Sequence, residues 1–328
     1  MRLSTMVPLL CGLAACAGDK GEVVDTGDTD TVTDTDTDTN PNCGNAVLER
    51  YPADGETDVY AWSGVDILLS QADATATVVV TDSAGTEVSG TVERYLDDTR
   101  IEFLPSEPYA AGETYTATLN WGCDPAPSSF TAGSEGTDPV ADPSSLIDRT
   151  WVLDLKDGRF VAPDGIGPAL QTMLEVKLLL GVTAADATTL QFRTGAEDGA
   201  GGQDLSASTT DFDAAADFSG NPFFTASQPV LGMVIEGDPI DVEQLDISGS
   251  FAADGSEIVG FRMSGIVDTR DLKEALEVEA DGAVCDLFGA SFNVECEACP
   301  SGDGDYCITL VVADLPMPEA GFGLAAVP

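Results

Sequence analysis

Side chains of a β-strand point alternately to its two faces, and this chain repeats that period-two pattern in short runs separated by turn residues. Tyr115, Ala117, Leu119 and Trp121 alternate with Thr116, Thr118 and Asn120, the pattern of a strand with one buried and one solvated face. Val65, Ile67 and Leu69 alternate with Asp66 and Leu68, and Val78 to Val80 reads as a further strand. Ser83-Ala84-Gly85 and Asp97-Asp98 supply turns. Such spacing over residues 43–132 predicts a β-sandwich.

The amino-terminal residues carry a different signal. Arg2, a mostly apolar run from Leu3 to Leu13, and then Ala14, Ala15 and Cys16 read as a signal peptide over residues 1–15, too short to cross a bilayer. Leu13-Ala14-Ala15-Cys16 resembles the lipobox of bacterial lipoproteins. That resemblance implies cleavage before Cys16 and acylation of its sulfur and amine. Cys11 is a weaker candidate, because Pro8 stands where the motif has Leu. Ala17 in place of Asp implies, by the same resemblance, the outer membrane of a Gram-negative cell. Several acyl chains, at ~0.8 kcal/mol per buried methylene, make such an anchor stable.

Residues 17–42 hold eight acids, one base (Lys20), seven threonines and no aromatic residue. With Cys16 they are expected to form a disordered tether, extended by its own charge. At ~3.3–3.6 Å per residue it reaches roughly 90 Å at most. Asp34-Thr35-Asp36-Thr37-Asp38 looks superficially like a calcium loop, but Thr39 stands where such a loop needs Gly.

Within the first body, Tyr51-Pro52-Ala53-Asp54-Gly55, Val65 to Ser70, Phe103-Leu104-Pro105, Tyr109, Gly112 and Tyr115-Thr116 together resemble the bacterial Ig-like domain of the SbsA type. The resemblance covers about a quarter of the chain. It implies an Ig-like sandwich serving as a spacer or adhesive module on extracellular proteins, without catalytic residues. Cys43 and Cys123 flank this body and are expected to form a bridge between its ends.

Residues 133–144 are rich in Gly, Ser, Pro and Asp and read as a linker. Residues 145–328 are expected to form a second antiparallel β-rich domain, a curved sheet or barrel, with one or two short helices. Trp151, Leu153 and Leu155 mark one strand, and residues 175–181 and 188–194 mark two more. Leu245, Ile247 and Phe251 face the same way, matched by Val259, Phe261, Met263 and Val267 across an Asp254-Gly255 hairpin turn. Arg270 to Glu277 and residues 284–290 suit helices, and Tyr306 to Val312 a closing strand. All three tryptophans, Trp62, Trp121 and Trp151, are expected in the core rather than as sugar platforms, since two of them lie on alternating strands. The cysteine-rich end resembles uncharacterised lipoproteins of predatory or social Gram-negative bacteria.

Four cysteines cluster there: Cys285, Cys296, Cys299 and Cys307. Two disulfides are expected in an oxidising compartment, Cys285 with Cys296 and Cys299 with Cys307, because local pairs suit a compact loop. A zinc site on Cys296-x-x-Cys299 and a redox dithiol are the alternatives. Against zinc, the other pair lacks metal-ligand spacing; against redox, no thioredoxin-like unit precedes the motif.

The chain contains no histidine, which excludes a His-based triad, a histidine zinc site and a His pH switch. There is no Gly-x-Ser-x-Gly or Ser-x-x-Lys motif. Asp303-Gly304-Asp305 and the Gly195–Asp204 loop, half of a calcium β-roll repeat that does not recur, read as solvated loops. No catalytic residue, metal or cofactor is therefore expected. The net charge is 13 − 58 = −45, which argues against nucleic acid. Without the signal peptide it is 12 − 58 = −46; the tether carries 1 − 8 = −7, so the folded bodies carry −39. The expectation is an outer-membrane, lipid-anchored and non-catalytic display protein for adhesion, scaffolding or binding of a protein, a glycan or a small apolar ligand. The alternatives are an apolar-ligand carrier with a hollow second domain, or a carboxylate-based hydrolase whose two acids stand ~5–9.5 Å apart.

Overall fold

The alternating runs become strands, and they assemble into a mainly β protein. The computed structural model describes residues 44–163, 177–235, 238–273, 276, 278–292 and 294–328. The signal peptide, Cys16, the tether and Cys43 lie outside the described residues.

The first body contains β1 (Val47–Tyr51), β2 (Glu56–Val59), β3 (Val65–Leu69), β4 (Thr77–Thr81), β5 (Gly90–Tyr95), β6 (Arg100–Pro105), β7 (Thr114–Asn120) and β8 (Ala126–Ala132). Two four-stranded sheets form, in the orders β1-β3-β6-β5 and β2-β8-β7-β4. Only β2 and β8 pair in parallel. Val65, Ile67, Ile101, Val78, Val80 and Leu119 fill the space between the sheets. Each such side chain contributes about 1.5–3 kcal/mol by leaving water. β7 alternates as its sequence predicts. β3 does not, because all five of its residues are buried.

The second body has β9 (Thr150–Asp154), β10 (Arg159–Ala162), β11 (Lys177–Ala185), β12 (Thr189–Ala196), β13 (Thr210–Asp211), β14 (Ala216–Asp217), β15 (Phe223–Ile235), β16 (Asp238–Phe251), β17 (Glu257–Asp268) and β18 (Cys307–Pro318). They make one sheet in the order β10-β18-β17-β16-β15-β14-β12-β11-β9, with β13 paired to β12. The sheet curls until Trp151 on β9 bridges Glu319 just beyond β18. Arg149 clamps Glu319 and the carbonyl of Asp254 across that seam.

The concave side holds Trp151, Phe192, Phe218, Phe224 and Phe251, all fully buried. Phe251 meets Trp151 edge-on at 4.9 Å between centroids, Phe218 at 5.9 Å and Phe224 at 5.3 Å. Among the described residues, a void between the apolar side chains around Leu231, Phe212 and Met263 measures about 30 Å³. The expected alternative of a hollow barrel for an apolar cargo is corrected here. Ligand pockets run to ~300–1,000 Å³, and aromatic rings occupy the space such a cargo would need.

Two local expectations are also corrected. Gly260 has φ +58 and bulges β17. A bulge shifts the side-chain alternation by one residue, so Ile258 joins the core with Phe261, Met263 and Val267 while Val259 turns to the other face, toward Gly136. Arg270 to Glu277 does not begin as an α-helix. Asp268 caps a 3₁₀ turn over Thr269–Leu272 by accepting from the Arg270 N–H. The α-helix α1 runs from Ala283 to Phe292.

Residues 133–144, read as a linker, run packed along the second body. Val140 is buried in its core, and its backbone exchanges two hydrogen bonds with the Asn221 side chain. Both bodies lie within one compact unit, Asp38–Pro328.

Candidate functional site: the junction and its cleft

β3 and β6 turn one face to the sandwich core. Their other face carries Asp66, Arg100 and Glu102, which a strand open to water would solvate. These side chains are instead 1%, 3% and 0% exposed. The second body covers them and supplies counter-charges to the two carboxylates. Arg262 of β17 donates from both terminal nitrogens to Glu102, at 2.8 Å each, and from Nη2 to the Tyr95 hydroxyl at 3.2 Å. Arg159 of β10 donates to Asp66 and, at 2.9 Å, to Asp314. Arg100, from the first body itself, donates to both oxygens of Asp66, from Nε to Oδ1 at 2.9 Å and from Nη2 to Oδ2 at 2.7 Å. The Arg159 guanidinium lies 4.1 Å above the Tyr51 ring.

Burial works against each of these cations, but the carboxylates outweigh it. Asp314 and Asp66 raise the Arg159 pKa, and Glu102 raises that of Arg262. Burial pushes the Glu102 carboxyl upward against the pull of Arg262. Charges this deep stabilise a fold only when paired, and Arg159 and Arg262 are both paired across the junction.

Apolar and steric contacts complete the seam. Trp62 stacks on Phe223 with centroids 3.9 Å apart and planes 14° from parallel. Tyr60 shares a 2.7 Å hydrogen bond with Ser250. A Cβ on Gly260 would lie 2.1 Å from the Tyr60 ring, so glycine there serves both the bulge and the close approach. Tyr95 packs on Val161, Ala162, Val311 and Ala313.

Burial raises the pKa of Tyr51 to about 12 and raises those of Tyr60, Tyr95 and Tyr109 as well. A phenol whose folded pKa exceeds its unfolded value of ~10 keeps its full stabilising contribution below pH ~10. That contribution is lost as pH rises toward the folded pKa, because the unfolded chain ionises first. In an alkaline titration, the phenolate absorbance of these four tyrosines should appear together with loss of circular dichroism. Full phenolate signal near pH ~10 with an unchanged dichroism spectrum would contradict the burial.

Beside the junction a cleft of about 410 Å³ opens, with Tyr60, Trp62 and Ser63 on one side and β15, β16 and β17 on the other. Trp151 is in the core as expected, and Trp121 packs at the edge of the sandwich core. Trp62 is not in either core: it lines the cleft, which corrects the expectation for that residue.

The cysteines form a separate lobe. Cys285 bonds to Cys296 and Cys299 to Cys307. Both sulfurs of Cys296-x-x-Cys299 are engaged in different bonds, so neither is a thiolate available to zinc or a partner in a redox dithiol. Asp268 lies near Cys299 and Cys307, but it is held by Arg270. Cys123 is disulfide-bonded; Cys43, its expected partner, lies outside the described residues, as do Cys16 and Cys11. The Gly195–Asp204 loop closes on itself: Asp198 accepts from the Ala200 and Gly202 backbones, and Glu197 from Gly201. The Gly202 and Ala200 amides hold the Asp198 carboxyl below its usual range.

The fold and the junction define a β protein in which an Ig-like sandwich is docked face-on against a curved antiparallel sheet. Residues 44–133 match the family described as the bacterial Ig-like domain. No curated protein matches the chain. Among solved structures, CopC from Methylosinus trichosporium OB3b is 16% identical over 26% of this chain and 91% of its own, with a TM-score of 0.24. An L,D-transpeptidase from Mycobacterium smegmatis is 16% identical over 61% of this chain and 74% of its own, with a TM-score of 0.23. The N-terminal Ig1-2 module of the Drosophila receptor protein tyrosine phosphatase DLAR is 14% identical over 51% and 96%, with a TM-score of 0.23.

The charged junction left no motif in the sequence. Its one signal is acids and arginines at the polar positions of strands that are otherwise apolar, which reads equally well as a solvated face.

Proposed function

We propose that this protein is a lipid-anchored display module of the outer membrane, with a binding or scaffolding role and no catalytic one. Acylated Cys16 holds it to the membrane, residues 17–42 space it away, and the Ig-like body, read as the SbsA type, is presented as one piece with the second domain. The observation that carries this reading is the Ig-like domain itself. The junction supports the single-piece presentation, since a face that an isolated Ig-like domain would expose is sealed by buried ion pairs. A non-catalytic role is supported by the engagement of the buried carboxylates Asp66 and Glu102 by arginine, which leaves neither as a free acid or base. The acidic surface suits solubility and disfavours nucleic acid. Among the described residues no helix is long and apolar enough to cross a membrane.

Mass spectrometry of the membrane-extracted protein tests the anchor. The expected species begins at Cys16 and carries acyl mass there, and Cys16→Ser releases the protein from the membrane. An unmodified amino terminus in the wild type sinks the reading.

A further inference from the structure

The cleft beside the junction has a floor of a particular chemistry. On β15, β16 and β17 the outward positions fall into two cross-strand rows. Thr225 stands opposite Ser248, which stands opposite Arg262; Ser227 stands opposite Asp246, which stands opposite Ser264. Neighbouring strands lie ~4.7–4.9 Å apart, so the two rows place several polar groups side by side on the cleft floor. Four of the six positions carry hydroxyls. The Arg262 guanidinium is turned away, toward Glu102 and Tyr95, which leaves Asp246 as the charged group of the two rows. Ser227 donates to one Asp246 oxygen, Oδ1.

One wall is aromatic: Trp62, half-buried and stacked by one ring face on Phe223, which also lines the cleft, with Tyr60 beside it. A volume of about 410 Å³ falls within the range of small-molecule sites. Hydroxyls that both donate and accept, the carboxylate of Asp246 (that of Asp314 being held by Arg159) and an aromatic plane suit a ligand that is neutral and rich in hydroxyl groups. Phosphorylated or acidic ligands would meet Asp246 and Asp314, while Arg262, the cation among the described lining residues, is already paired. Apolar ligands would leave the floor unsatisfied.

We infer that this cleft is a carbohydrate-binding site for neutral mono- or disaccharide units, with Trp62 as the platform and Asp246, Ser227 and Ser248 as the polar contacts. The inference gives a ligand class to the display module proposed above and rests on that reading. It also explains why the two bodies are locked together, because the platform comes from one and the floor from the other.

The test is calorimetric titration of the full mature chain with cellobiose, maltose and N,N′-diacetylchitobiose, alongside tryptophan fluorescence. At least one sugar is expected to bind saturably and to change the emission. Asp246→Asn and Ser248→Tyr should each raise Kd at least tenfold without moving the thermal midpoint, and Trp62→Phe should remove the emission change. Absence of saturable binding to all three sugars overturns the inference, and so does binding that Ser248→Tyr and Asp246→Asn leave unchanged. Acyl mass on Cys16 without sugar binding sinks the cleft alone; sugar binding by a chain lacking that mass sinks the anchor alone.

Discussion

Replacing Arg262 with alanine should cost about 3–5 kcal/mol of folding stability, because it leaves Glu102 charged, fully buried and without its guanidinium. Few surface-derived charges in a chain this acidic would matter so much, since exposed pairs contribute ~0–1 kcal/mol. The difference is desolvation. Glu102 lies in the covered face of β6, and its carboxyl is already pushed toward the neutral form by burial. Urea denaturation should show the loss as a lower midpoint. The double replacement Glu102→Leu with Arg262→Met removes both charges and fills the space, and should recover most of the stability. An Arg262→Ala variant within about 1 kcal/mol of wild type would mean that water reaches Glu102 and that the two bodies separate in solution. The opposite sign for the double replacement would mean that the pair is net stabilising.

Phe251→Ala should cost about 3–5 kcal/mol, the range for a large aromatic side chain removed from a packed core. Phe251 is fully buried and touches Trp151, Phe218 and Phe224, so several rings would have to move to fill the space. Those rings come from β9, β15 and the segment before it, and collapse would break the curvature that closes the sheet at Trp151 and Glu319. The space is therefore expected to persist as a dry apolar cavity able to take up benzene, as such cavities do. A loss below about 1 kcal/mol, or benzene uptake by the wild type equal to that of the variant, would show that the second body is looser than its rings imply.

Much of the fold was legible in local pattern. β7 follows its alternation residue by residue, and the cysteine lobe could be paired by proximity because only 11 and 8 positions separate the partners. Period-two burial and short-loop closure depend on near neighbours, and near neighbours are what a sequence displays. The candidate site was not legible in that way. Thr225, Ser227, Asp246, Ser248 and Ser264 are ordinary outward-facing strand residues until the register of three strands places them side by side. Trp62 groups with the core in sequence because Trp121 and Trp151 lie on alternating runs, but Trp62 itself stands between β2 and β3.

By itself the sequence determined the β class, the position of the Ig-like body, the turns and the exclusion of histidine chemistry, since each of these follows from residue type and short-range spacing. The tertiary structure alone decided which faces meet water. Asp66 and Glu102 are polar residues of otherwise apolar strands and are among the most buried residues, because the surface that covers them comes from Arg159 and Arg262, 93 and 160 residues further along the chain. Gly260 likewise changes the face of Val259 only because a bulge there lets β17 pass beneath Tyr60. Burial of a second strand face is a property of long-range docking, and no period within one strand records it.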